Sequence, residues 1–156
     1  MLKSIEGNFD HPEVYELLKK HFIELRAASP EGSAHVLDVP GLKIPSIKFW
    51  SLWKNDELIG CGALKFLEDG HGEFKSIRVR DKFRKQGNGT EVINHLISEA
   101  KKLGIKRLSI ETGASDFFKP ARKLFNQFGF EPCEPFAHYK EDVNSVYLSK
   151  LIDRYN

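Results

Sequence analysis

Arg84-Lys85-Gln86-Gly87-Asn88-Gly89-Thr90 is the stretch on which the reading of this chain turns. Before it, Glu73-Phe74-Lys75-Ser76-Ile77-Arg78-Val79 reads as a strand. After it, Val92, Ile93, Leu96, Ile97, Ala100 and Leu103 recur at helical spacing, and Gly104 ends that helix. A basic loop with two glycines therefore opens an amphipathic helix. The first turn of a helix carries backbone N–H groups without partners and a partial positive charge. Glycines let an anion approach that backbone, and Lys82, Arg84 and Lys85 add local charge. The combination suits a diphosphate.

Three phosphate motifs compete for this loop. The string G-x-x-x-x-G-K-[ST] does not occur. The dinucleotide fingerprint G-x-G-x-x-G needs a third glycine and a strand directly before the first. Here Val92 stands where that glycine is needed, and the strand ends near Val79. The third motif, R/Q-x-x-G-x-G/A, is filled without a gap from Arg84 through Gly89.

Working outward, residues 47–53 and 57–67 read as a hairpin turned at Asn55-Asp56, and residues 107–112 as a strand after the helix. A further helix is expected from Pro120 to about Phe128, ended by Gly129. Residues 130–136 and 145–151 read as closing strands. Near the N-terminus, residues 2–6 suggest a short strand. Asp10, Pro12 and Glu13 mark a helix start capped by Asp10, and a short helical stretch is expected around 32–38. The fold class is α/β (α+β), with a mostly antiparallel first half and a strand–helix–strand crossover that predicts one parallel pair.

The bulk numbers frame this reading. A length of 156 residues fits one domain, 1–156, and 40% hydrophobic with 29% charged residues is an ordinary globular balance. The formal net charge is +2, too small to argue for nucleic acid or an anionic membrane. No apolar run reaches membrane-spanning length, and MLKSIEGNFDHPE lacks the apolar centre of a signal peptide, so cytoplasm is expected. Cys61 and Cys133 lack C-x-x-C spacing and read as reduced thiols rather than a disulfide or a metal pair; no metal is expected. Trp50 and Trp53 read as core. His35, His71 and His138 are well separated and read as surface or hydrogen-bonded side chains.

This context resembles the GNAT superfamily of N-acetyltransferases, in which R/Q-x-x-G-x-G/A follows the fourth strand and opens the third helix. Leu58–Leu64 looks like the family's third strand and Gly72–Val79 like its fourth. Leu124-Phe125-Asn126-Gln127-Phe128-Gly129-Phe130 resembles the L-Y-E-K-x-G-F signature. The likeness covers about residues 47–151. Shorter strings, among them Cys61–Leu64, Ile110–Gly113 and Cys133–Phe136, resemble a bacterial subgroup labelled indole-3-acetic-acid acetyltransferase-like. That label is not carried over to the acceptor.

The resemblance implies a mixed, mostly antiparallel sheet of six to seven strands, acetyl-CoA as cosubstrate and a primary amine of a small molecule or peptide as acceptor. It implies that backbone groups of Ile77, Arg78 and Val79 pair with the pantetheine arm. Main-chain N–H groups of Gln86, Gly87, Asn88, Gly89 and Thr90 would hold the diphosphate, with Arg84 and Lys85 beside it. Direct transfer needs a base for the amine. Glu73 falls where several members keep one, although a strand-edge carboxylate paired with Lys75 is the plainer reading. Glu111, at the end of its strand, is a second acid/base or acceptor-binding candidate. Simple alternation puts Glu73, Lys75, Ile77 and Val79 on one face, unless a bulge intervenes. Phe125 stands at the family's tyrosine and has no proton to give; Tyr139 or Tyr147 could replace it only if the fold brings one near. A non-catalytic acyl-CoA-binding or sensor module is therefore the alternative. Many family members dimerise, which makes a homodimer the assembly to test, although no residue pattern marks one.

Overall fold

The computed structural model describes residues 2–152. Its strands are β1 (Lys3–Glu6), β2 (Ile47–Lys54), β3 (Glu57–Phe66), β4 (His71–Val79), β5 (Arg107–Gly113), β6 (Glu131–Pro132) and β7 (Ser145–Leu151). Its helices are α1 (Pro12–Ala28), α2 (Val39–Leu42), α3 (Asn88–Lys102) and α4 (Lys119–Gln127). The strands form a single mixed sheet in the order β1-β2-β3-β4-β5-β7-β6. β2 and β3 turn through Asn55 (φ 48°) and Asp56 (φ 62°), both in the left-handed region that a tight hairpin demands.

The β4–β5 pair is parallel, as the α3 crossover requires. It is also short. His71 pairs with Arg107, Gly72 with Leu108 and Glu73 with Ser109, and the pairing stops there. Beyond Glu73 the two strands part, while β4 stays bonded to β3 and β5 to β7.

Two apolar clusters cover the two faces of the sheet. α3 buries Val92, Ile93, Leu96 and Ala100 against Trp50, Leu64 and Phe74. Each such aliphatic side chain contributes about 1.5–3 kcal/mol by leaving water. Gly62 makes the close approach possible: a Cβ there would lie 2.7 Å from Leu96 Cδ1. On the other face α1 and α2 bury Val14, Leu17, Leu18 and Leu42 against Phe49, Trp53, Leu58 and Ala63.

Three local expectations shift. The α1 cap is His11, whose Nδ1 accepts the Glu13 N–H at 3.2 Å; Asp10 lies one residue too early because Pro12 takes the first helical position. The short helix falls at Val39–Leu42 rather than around 32–38, because Asp38 Oδ1 caps it through Gly41 N–H at 2.8 Å. The strand expected at 130–136 contracts to Glu131–Pro132, since Pro132 and Pro135 have no N–H to donate to a ladder.

Candidate active site

The gap between the parted strands is a cleft of about 710 Å³. Residues 74–79 of β4 form one wall and residues 110–113 of β5 the other. The start of α3 borders one end, α4 lies alongside, and α1 with residues 33–36 closes the remaining side.

A bulge sets which side chains reach this cleft. Cys61 pairs with Arg78 but Ala63 pairs with Lys75, so β4 carries one extra residue there. Ser76 absorbs it at φ 51°. The alternation then changes phase. Phe74 packs in the α3 cluster, and so do Ile77 and Val79, an odd rather than an even separation. Glu73 and Lys75 face the other way, toward Tyr139. The single face drawn for Glu73, Lys75, Ile77 and Val79 is thus split in two. The Ser76 carbonyl accepts from Cys61 Sγ at 3.3 Å, while its buried hydroxyl has no partner.

At the α3 end, Gly87 is the N-cap at φ 81° and Lys85 also lies in the left-handed region at φ 62°. The first backbone bond of the helix runs from Glu91 N–H to Gly87 C=O at 3.3 Å, so the N–H groups of Asn88, Gly89 and Thr90 precede it. Asn88 is buried and pins this end: its Nδ2 donates to Phe83 C=O at 2.9 Å and its Oδ1 accepts from Lys54 Nζ at 3.0 Å. Gly89 admits α4, since a Cβ would sit 3.0 Å from Leu124 Cδ2. Arg84, Lys85, Gly87, Gly89 and Thr90 line the cleft; Gln86 and Asn88 do not. Gln86 instead donates to Lys82 C=O at 3.1 Å. Unpaired amides, a tolerated left-handed glycine and nearby cations fit a diphosphate.

Asp81 ties this loop to α1. It bonds Lys20 at 2.5 Å, Arg84 at 3.2 Å and Arg78 at 3.3 Å, and the Lys20 hydrogen bond, with the nearby guanidiniums, holds its carboxyl below the usual range.

The two carboxylates differ. Glu73 is 1% exposed and does not border the cleft. Its Oε2 accepts the Tyr139 hydroxyl at 2.5 Å and lies 3.5 Å from Lys75 Nζ; Oε1 has no partner. Burial and the Glu73 charge push the Tyr139 phenol above its ordinary range. Lys75 also donates to Tyr139 Oη at 3.0 Å and to His35 C=O at 3.2 Å. Glu111 does border the cleft, and burial raises its carboxyl to about 7. Phe125 is 3% exposed, packs on Phe74 and Phe130, and borders the cleft with its ring alone. The fold brings Tyr139 to Glu73 rather than to the cleft wall. Tyr147 donates to Lys140 C=O at 2.6 Å. Both are held elsewhere than at Phe125.

Two cleft-lining groups carry no sequence signal. His21 is buried on α1 with Nδ1 unpartnered; burial, with Arg78 and Arg84 nearby, lowers its pKa to about 3. Ser33 donates to Asp142 Oδ2 at 2.6 Å and so clips the 33–36 segment to the loop before β7. Cys61 is buried and Cys133 half-buried, both free. Among the described residues no helix is long and apolar enough to cross a membrane.

With this geometry in view, the comparisons with known proteins are specific. The model of the acetyltransferase (GNAT) family matches residues 11–130. Over 140 residues the chain is 48% identical to YsnE of Bacillus subtilis, an uncharacterized N-acetyltransferase, covering 90% of this chain and 93% of that one. The IAA acetyltransferase of Azospirillum brasilense is more distant, at 31% identity over 78% of each chain, so the subgroup likeness is the weaker one. A Bacillus subtilis acetyltransferase solved in complex with CoA shares the fold at TM-score 0.71 and 21% identity, covering 97% of this chain and 99% of that one. The chain belongs to the GNAT family of acetyltransferases.

Proposed function

We propose that the chain transfers acetyl from acetyl-CoA to a primary amine by direct attack, with Glu111 as the base. The observation that carries this is the cleft itself: parted strands, free helix-start amides at one end, and a carboxyl of pKa about 7 on its wall. A base with that pKa is half ionised near neutral pH, which suits removal of an ammonium proton. Glu111 takes one proton from the ammonium, the neutral amine nitrogen attacks the thioester carbonyl carbon, a C–N bond forms, the C–S bond breaks, and CoA leaves as a thiolate that takes up the nitrogen's second proton. The β4 edge beyond Glu73 has no β5 partner, so the backbone of Ile77, Arg78 and Val79 is free to pair with an extended pantetheine arm. The amides of Gln86 to Thr90 would hold the diphosphate, and Arg84 and Lys85 would add charge. Glu73 acts indirectly, by fixing Lys75 and Tyr139.

A second reading, a chain that binds acyl-CoA without turning it over, is favoured by Phe125, which offers no proton to a departing thiolate. Thiol release from acetyl-CoA across an amine panel separates the two. Amine-dependent release supports transfer; tight binding with no release for any amine supports the alternative. Gly87→Asp tests the diphosphate end. Asp tolerates the φ 81° backbone better than most residues. Its charge should still weaken CoA binding about a hundredfold, by like-charge repulsion at a helix start. Unchanged affinity by calorimetry removes this site assignment.

A further inference from the structure

The cations on the acceptor half of the cleft already have carboxylate partners. Lys75 and Arg78 border the part walled by α1 and residues 33–36. Lys75 Nζ has Glu73 at 3.5 Å, Tyr139 Oη at 3.0 Å and His35 C=O at 3.2 Å, which engages its three N–H bonds. Arg78 is 4% exposed; its Nη2 lies 3.1 Å from both Glu24 oxygens and 3.3 Å from Asp81 Oδ1, so its charge is balanced, while its buried Nε has no partner. His21 and His35 border the same space, and burial holds both below the usual imidazole range, so they are uncharged at neutral pH. Arg84, Lys85 and Lys123 also border the cleft, but at the α3–α4 end where the diphosphate would lie. Among the described residues Glu111 makes no ion pair.

We infer that the acceptor is an amine without a carboxylate beside it, a monoamine or an amide-capped amine, in preference to a free α-amino acid. This rests on the N-acetyltransfer reading. A free amino acid would bring its carboxylate within two bonds of the reacting nitrogen, into the space that holds Glu111. Among the described residues no cation bordering that space lacks a carboxylate partner, so the added charge would go uncompensated. An unpaired carboxylate leaving water is heavily penalised, and a second carboxylate nearby adds repulsion. Selectivity here comes from what the site refuses.

Matched pairs test this: tyramine against tyrosine, tryptamine against tryptophan, and phenethylamine against both phenylalanine and phenylalanine amide. The kcat/KM for thiol release should favour each carboxylate-free partner by about tenfold or more, the scale of one poorly compensated charge. Phenylalanine amide should behave like phenethylamine, which separates charge from bulk. Turnover with amino acids equal to or faster than amines overturns this inference alone. No release with any amine sinks the transfer reading and this inference together. Glu24→Gln removes one of the two carboxylates on Arg78 and should narrow the ratio severalfold by raising amino-acid use. An unchanged ratio in a folded variant, checked by circular dichroism, overturns the electrostatic origin.

Discussion

Glu73 and Glu111 stand on neighbouring parallel strands, on opposite sides of the point where those strands separate. Glu73 occupies the last residue pair, opposite Ser109; Glu111 lies two residues beyond Ser109. That small offset reverses their circumstances. Glu73 is sealed in, hydrogen-bonded by Tyr139 and neutralised by Lys75. Glu111 borders open space with no ion pair among the described residues, and burial, with the Glu73 and Asp142 charges adding to it, raises its pKa to about 7. A carboxylate serves a substrate only when it opens onto the cleft. Backbone pairing decides that here.

The sharpest way to break this contrast is to make the same substitution at both positions. Glu111→Gln should lower amine-dependent turnover by about 10²–10⁴-fold, the usual worth of a general base. Calorimetry should show CoA affinity unchanged. A loss under tenfold would remove Glu111 as base. In the unaltered protein log(kcat/KM) should rise with pH below about 7 and level off above it, because Glu111 must be ionised to accept the proton. Glu111→Gln should erase that inflection, and Glu73→Gln should keep it.

Stability should move in opposite directions. Glu73→Gln leaves the Lys75 ammonium, 10% exposed, without a counter-charge. Urea unfolding at pH 8 should register a loss of about 2–4 kcal/mol, in line with breaking one half of a buried pair. For Glu111 the sign is reversed. Its folded pKa lies above the ordinary value of 4.5, so the folded state disfavours its charge. That penalty is absent below pH 4.5 and complete above pH 7. Glu111→Gln should therefore stabilise the protein at pH 8 by at most about 3 kcal/mol, and by nothing near pH 4. Two losses of equal sign at pH 8 would contradict the assignment. The smallest effect is expected for Tyr139→Phe, about 1–2 kcal/mol in the same urea assay, for the two hydrogen bonds its hydroxyl makes with Glu73 and Lys75.

The loop at the start of α3 was legible because its parts are contiguous: Arg84 to Gly89 spell the motif, and the strand and helix that frame it lie on either side. The Leu124–Phe130 run was legible for the same reason. The acceptor half was not, since it is assembled from distant segments. Lys75 meets Tyr139 across 64 positions, Arg78 meets Glu24 across 54, and Ser33 meets Asp142 across 109. Periodicity reports neighbours along the chain and carries nothing of such pairings. Ser76 was equally silent. No serine announces a left-handed backbone, so the change of phase in β4 could not be read from the alternation of its residues.

That change of phase partitions the strand into two independently editable halves. Before Ser76 the odd-numbered side chains Glu73 and Lys75 face Tyr139; after it the odd-numbered Ile77 and Val79 pack toward α3. Replacements at Lys75 act on the Tyr139 side of the strand, and exchanges at Ile77 or Val79 on the α3 side. Flattening the bulge with every residue kept would invert the parity of everything downstream. Arg78 would then turn toward the apolar layer beneath α3, and Ile77 and Val79 toward α1. One inserted residue thus lets a single strand present matching side chains to two layers.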